Sequence, residues 1–319
     1  MYFASVVVAS GGGRDKKGDM ASQNILFLAP DSRLDAFTAT GVLNALIKRE
    51  PEAHITIVCH PNYVQFYENA PAKVSFLAFD DLSKWRQRAQ LASLLLGRVY
   101  HRIVALGDSR LPYFLWAKHR HIFTFQPDAY RLPDLHQPEI NNPATLWGND
   151  RRHLPLPETL AADAPLIVVA PGEAGRAQWG GKLYAELAWR LATAHESYSN
   201  AHMVVLANSD EPDPQVSAIV EAIEKNIPPG QRSVLTDLAF SKKIALLQRA
   251  RVMVGTDRLY ARMAVQAGTP IVVRFDASGQ APANCPYNLY GGTQATDLAS
   301  FLAEEFAKAA TDDGLSAKS

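Results

Sequence analysis

The chain has 319 residues, 47% of them apolar and 20% charged, and its 32 basic residues balance 32 acidic ones. That length exceeds what one hydrophobic core ordinarily serves, so two domains are expected, and the composition excludes a chain dominated by disorder. The charge balance removes the overall positive field of a nucleic-acid binder, so no nucleic-acid partner is expected and any anionic ligand must be met by local clusters.

Residues 1–24 open with a short apolar stretch, followed by Ser10-Gly11-Gly12-Gly13 and a charged run. The apolar part is shorter than the roughly 7–15 residues of a signal-peptide core. The segment is expected to be a flexible leader, with Met20 as a start. A phosphate-cradling loop is the competing reading, but the helical pattern that should follow directly is missing.

From residue 25 the chain alternates short aliphatic runs with segments of helical period, the signal for β-α units and a parallel sheet. Strands are predicted over 25–29, 54–59, 74–79, 102–106 and 121–125. The first helix, 35–49, carries Phe37, Val42, Leu43, Leu46 and Ile47 near the 3.6 period and ends in basic residues, which suit a helix C-terminus. Residues 126–165 hold seven of the 20 prolines and no regular pattern, and are expected to carry the crossing between domains 25–157 and 158–319. The rhythm then restarts: strands 166–170, 201–207, 233–235, 252–255 and 271–275, with helices at 182–194, 215–226, 242–249, 259–267 and 297–309.

Cys59 and Cys285 lie far apart with no Cys-x-x-Cys or histidine-rich surroundings, so neither a disulfide framework nor a metal site is expected, and a reducing cytoplasm fits. The apolar runs are strand-sized, below the roughly 20 residues of a membrane span. In open α/β sheets, ligands sit beyond the carboxyl ends of the strands. That rule singles out five loops: 30–35, 106–110, 171–179, 208–213 and 255–258.

The run from Ile25 to Asp35, with Pro30-Asp31-Ser32-Arg33-Leu34-Asp35, resembles the opening of glycosyltransferase family 9, the ADP-heptose lipopolysaccharide heptosyltransferases. The resemblance continues through Ala170-Pro171-Gly172, Trp179 with Tyr184-Ala185-Glu186-Leu187-Ala188, the stretch from Leu246 to Asp257, and Ala267-Gly268-Thr269-Pro270. It implies a GT-B fold, two doubly wound Rossmann-like domains facing across a cleft, with acceptor on the first and nucleotide-sugar on the second. It also implies inverting transfer without a metal or other cofactor, and Asp35 as general base. The carboxylate would take the acceptor hydroxyl's proton as the bond to phosphate breaks. The bland reading is that Asp35 caps the helix that follows; the two roles can coexist. Ser32, Arg33 and Arg110 are the acceptor-side candidates.

A departing nucleoside diphosphate needs helix N-terminal amides or cations. Candidates are Gly172, Arg176, Thr256, Asp257, Arg258 and Arg262, with Asp210 and Glu211 toward the ribose. Where the family has a glycine and a histidine after the aspartate, this chain has Leu259 and Arg262. Arginine binds phosphate through its fork of donors, so the site is either rewired or altered in function. A cationic and aromatic group, Trp85, Arg86, Arg88, Arg98, Arg102, Arg110, Lys118, His119 and Arg120, either holds an anionic acceptor or lipid or is a solvated face. Tyr63, Phe66 and Tyr67 read as core.

The expected function is therefore an inverting glycosyltransferase of cell-envelope glycan assembly, cytoplasmic or peripheral at the inner membrane, using a nucleotide-sugar and a glycan or glycolipid acceptor. The alternatives are a catalytically altered relative that binds a ligand or partner, and a nucleotide-sugar epimerase on the same architecture. A dehydrogenase is disfavoured, because no strand ends in Gly-x-Gly-x-x-Gly.

Overall fold

A computed structural model describes residues 24–80, 85–107, 111–123, 144–148, 150–157, 160, 164–171, 201–207, 217, 220–221, 223–225, 227–236, 238–255, 257–274 and 287–288. The chain divides into two compact units, Met1–Asn149 and Asp150–Ser319. The expected helices 182–194 and 297–309 lie outside the described residues.

The first unit is built on β1 (Asn24–Leu28), β2 (His54–Cys59), β3 (Lys73–Ala78), β4 (Val99–Leu106) and β5 (Trp116–Phe123). All pairs are parallel and the order is β3-β2-β1-β4-β5. Ile25, Leu26 and Phe27 of central β1 are wholly buried. That explains the unbroken apolar run in place of an alternating one: a parallel sheet is covered on both faces. Strand β5 corrects the expected 121–125, starting five residues earlier with Val99 paired to Trp116. Among the described residues it is an edge strand with one neighbour, and its sequence Trp-Ala-Lys-His-Arg-His-Ile-Phe lacks the apolar run that marks an inner strand.

Helix α1 (Arg33–Arg49) is buried around most of its girth, so Thr38 and Thr40 must satisfy their hydroxyls internally. Thr38 donates to Leu34 O (2.9 Å) and Thr40 to Phe37 O (2.6 Å). Thr40 also accepts from Thr145 N at 2.7 Å, and Asn44 accepts from Trp147 Nε1 at 3.3 Å. Part of the proline-rich tract thus packs as the outer cover of α1. A one-turn helix, α2 (Val64–Tyr67), follows β2, and α3 (Trp85–Leu95) precedes β4.

The second unit carries β6 (Leu166–Ala170), β7 (His202–Ala207), β8 (Arg232–Thr236), β9 (Ala250–Gly255), β10 (Ile271–Arg274) and the two-residue β11 (Tyr287–Asn288), which the sequence pattern does not announce. Their order, β11-β10-β9-β6-β7-β8, repeats the first unit's plan: the opening strand is central, the next two run to one side, and the fourth flips to the other. Helices α4 (Phe240–Arg249) and α5 (Arg258–Ala267) flank β9. Gly268 ends α5 in the left-handed region (φ 81°) and donates to the Ala264 and Val265 carbonyls. Only glycine holds that conformation without strain. The next residue, Thr269, reaches Leu247 O at 2.7 Å and ties the ends of α4 and α5 together.

Candidate functional site

In each unit the strand order reverses beside the first strand, opening a crevice at the carboxyl ends of β1 and β4 and of β6 and β9. At the first, β1 runs into Ser32, which caps α1. Its side chain accepts from Asp35 N at 3.1 Å and donates to Asp35 Oδ2 at 2.5 Å. This corrects the expectation that Asp35 itself is the cap: the helix begins two residues earlier than predicted, and Asp35 is the third residue in, bonded back to the capping serine. A carboxylate in the first turn lies at the positive end of the helix dipole, a placement that stabilises the helix. Asp35 and Arg33 are half-buried and Ser32 is exposed, so the group opens to solvent.

The loop after β2 joins this group, although the five loops chosen from sequence omit it. Tyr63 donates from its hydroxyl to Asp31 O at 3.0 Å, its ring stacks on Phe66 (5.9 Å between centroids), and His60 packs against it at 5.0 Å. Burial pushes the Tyr63 hydroxyl pKa up; Arg33 pulls it down, while Asp31 and Asp35 push it up further. All three charges are therefore within electrostatic reach of one phenol. Phe66 and Tyr67 are core, as expected, and Tyr67 donates to Ala36 O at 2.6 Å beneath the loop. Tyr63 is instead half-buried at the rim. The signal for it was available: β2 lies next to β1, so its carboxyl-end loop shares the same edge.

At the second crevice, Gly255 ends β9 directly against Ala170, the last residue of β6. A Cβ built on Gly255 would lie 2.6 Å from the Ala170 carbonyl carbon and closer still to its oxygen. Asp257 N donates across the same seam to Ala170 O at 3.3 Å. Asp257 caps α5, accepting from Tyr260 N at 2.9 Å. Leu259, where the family resemblance calls for glycine, is buried. Arg258 is exposed and Arg262 half-buried, one helical turn apart and so on one side of α5.

The structure thus brings Ser32, Arg33 and Asp35 together in the first unit, and Asp257, Arg258 and Arg262 in the second. Arg110, Gly172, Arg176, Asp210, Glu211 and Thr256 lie outside the described residues. One member of the cationic group is not a surface charge at all: Arg102 is buried, donates to Glu50 Oε1 at 2.9 Å and lies 2.5 Å from His121 Nε2. Among the described residues, no group of three or more His, Cys, Asp or Glu is arranged to hold a metal ion, and no helix is long and apolar enough to cross a membrane.

No protein-family model matches this sequence, and no curated protein matches it either. Solved structures match in shape. E. coli ADP-heptose lipopolysaccharide heptosyltransferase II superposes with a TM-score of 0.67 at 14% identity, over 90% of this chain and 99% of that one. A glycosyl transferase family 9 protein from Veillonella parvula gives 0.61 at 13%, over 84% and 85%. A Listeria monocytogenes protein assigned as a UDP-N-acetylglucosamine 2-epimerase gives 0.52 at 12%, over 90% and 89%. At such identities the likeness speaks to fold, and the chain has the fold of these proteins, two Rossmann-like α/β units of the GT-B type.

Proposed function

We propose that this chain is an inverting glycosyltransferase that moves a sugar, with heptose the first to try, from a nucleoside-diphosphate donor to a cell-envelope glycan or glycolipid. The observation that carries the reading is the Asp35 carboxylate at the strand-order reversal, its rotamer held by the Ser32 hydroxyl. Inverting displacement needs one such base. The acceptor oxygen attacks the anomeric carbon opposite the leaving group, its proton passes to Asp35, and the bond from the anomeric carbon to the phosphate oxygen breaks to release the nucleoside diphosphate. In this reading Ser32, Arg33 and Arg110 orient the acceptor. In the same reading Asp257, Arg258 and Arg262 of the α5 N-terminus act on the donor together with Gly172, Arg176 and Thr256, their amides and guanidinium groups offsetting the charge growing on the diphosphate without a metal. Asp210 and Glu211 accept from the ribose. The Cys59 thiol, free and buried, suits a reducing cytoplasm.

The test joins ligand binding to turnover. A thermal-shift panel of ADP, UDP, GDP, CMP and their sugar conjugates should single out one diphosphate, and Arg262→Ala should reduce its shift; at 100 times the dissociation constant a ligand adds roughly 2.7 kcal/mol. With that donor, Asp35→Asn should lower turnover by about 10²–10⁴-fold. Its stability should change by only about 0.3–1 kcal/mol, because the Ser32 cap survives and only the charge at the helix dipole is lost. Turnover of Asp35→Asn within about fivefold of wild type would remove the base assignment, and the lack of a shift from any nucleotide would remove the transferase reading.

A further inference from the structure

We propose that the strand-start end of the first unit's sheet is a docking surface for an anionic lipid bilayer. Among the described residues, the large hydrophobic side chains left exposed are concentrated there: Trp116 and Phe114 (73% each), Val99 (72%), Tyr113 (67%) and Leu96 (58%). They belong to one place. Val99 and Trp116 are the paired first residues of β4 and β5, Leu96 follows α3, and Tyr113 and Phe114 sit in the short 3-10 turn Leu111–Phe114 that leads into β5. Leu95, Tyr100 and Leu115, the buried chain neighbours of Leu96, Val99, Phe114 and Trp116, share a single core cluster, so these exposed side chains stand on anchored backbone.

The surface is built to hold its aromatic tips outward. Arg120 donates to Pro112 O (3.2 Å) and to Leu115 O (2.6 Å), bracing the turn that carries Tyr113 and Phe114 from below. Single exposed apolar residues need no explanation, but a group drawn from three segments does. Charge decides the occupant. Residues 96–107 and 111–123, which carry β4 and β5 and the turns leading into them, contain no acid, in a chain that is neutral overall. Arg98, Lys118, His119 and Arg120 around the aromatic tips are all exposed. Aromatic rings with a polar edge favour the headgroup layer, and lysines and arginines near an anionic leaflet each strengthen attachment. Because the strands are parallel, this end is opposite the one bearing Ser32 and Asp35, so the surface is independent of the transferase reading and survives its failure.

The experiment is flotation of the full chain with phosphatidylcholine vesicles, with and without phosphatidylglycerol. Binding should require phosphatidylglycerol and weaken with added salt. Each positive charge removed, in Arg98→Ala and Lys118→Ala, should weaken it roughly fivefold, the equivalent of about 1 kcal/mol. Phe114→Ser with Trp116→Ser should also release the protein from vesicles, while its circular dichroism and melting temperature stay at wild-type values because both side chains are solvent-exposed. No binding to either vesicle, or equal binding to both, overturns the proposal. So does a concentration-dependent dimer in sedimentation that Trp116→Ser dissolves, since the surface would then join two copies of the chain.

Discussion

Replacing Gly255 by alanine tests whether the seam between β6 and β9 is as tight as the structure has it. The added methyl would sit 2.6 Å from the Ala170 carbonyl carbon, where van der Waals contact needs more than 3 Å, and the obstacle is backbone that no rotamer change relieves. The strands must separate at their carboxyl ends. Overpacking of this kind costs about 1–3 kcal/mol, and separation also strains the Asp257 N to Ala170 O hydrogen bond, adding about 1 kcal/mol. The sum, about 2–4 kcal/mol, corresponds to a fall in melting temperature of roughly 4–16 °C for a unit the size of Asp150–Ser319. Gly268→Ala is the control. Its Cβ meets nothing within 4 Å, so only the strain of the left-handed conformation remains, about 1 kcal/mol. Differential scanning calorimetry of both variants checks the pair. A Gly255→Ala protein that melts within about 1 °C of wild type, or that melts above Gly268→Ala, would refute the reasoning about the seam.

Two further perturbations follow from buried groups. His202 is buried at the start of β7 beside Ser233 (2.8 Å), and burial holds its pKa below the ordinary value of 6.5, with a hydrogen bond involving Gly230 opposing in part. The unfolded chain therefore takes up the proton first, and stability present above pH 6.5 declines as the pH falls through that value. Urea midpoints at about pH 7.5 and about pH 5 should differ for the wild type and differ less for His202→Gln; equal differences in the two proteins would disprove the link. Cys59 at the end of β2 is buried and its thiol is pushed up to about 12 by burial, so the thiolate is scarce at neutral pH. Peptide mapping after brief iodoacetamide treatment should find Cys59 unmodified in the native protein and modified in denaturant, and rapid native labelling would contradict the burial.

Much of the architecture was legible because parallel strands buried on both faces leave long apolar runs. Strand 54–59 matches β2 residue for residue, as 166–170 matches β6, and the helical period of Phe37, Val42, Leu43, Leu46 and Ile47 marks the face of α1. The strand β5 was misplaced for the opposite reason. An edge strand needs no apolar run, and only its register with β4 reveals that it starts at Trp116. The candidate site was partly visible. Asp35 and the α5 N-terminus lie in loops the carboxyl-end rule selects, whereas Tyr63 reads as core beside Phe66 and Tyr67, and the loop after β2 that carries it and His60 is not among the five.

By itself the sequence determined what depends on near neighbours: the alternation of strands and helices and the helical period of the apolar residues in α1. Tertiary structure alone decided what depends on distant partners. The Arg102 to Glu50 pair spans 52 positions, and Tyr63 reaches Asp31 across 32. The exclusion of a side chain at Gly255 is set by Ala170 on another strand. Propensity and periodicity act over a few residues. Which charge is buried, which aromatic reaches the rim and which glycine cannot be replaced follow from strand order, and strand order is fixed by packing between segments far apart in the chain.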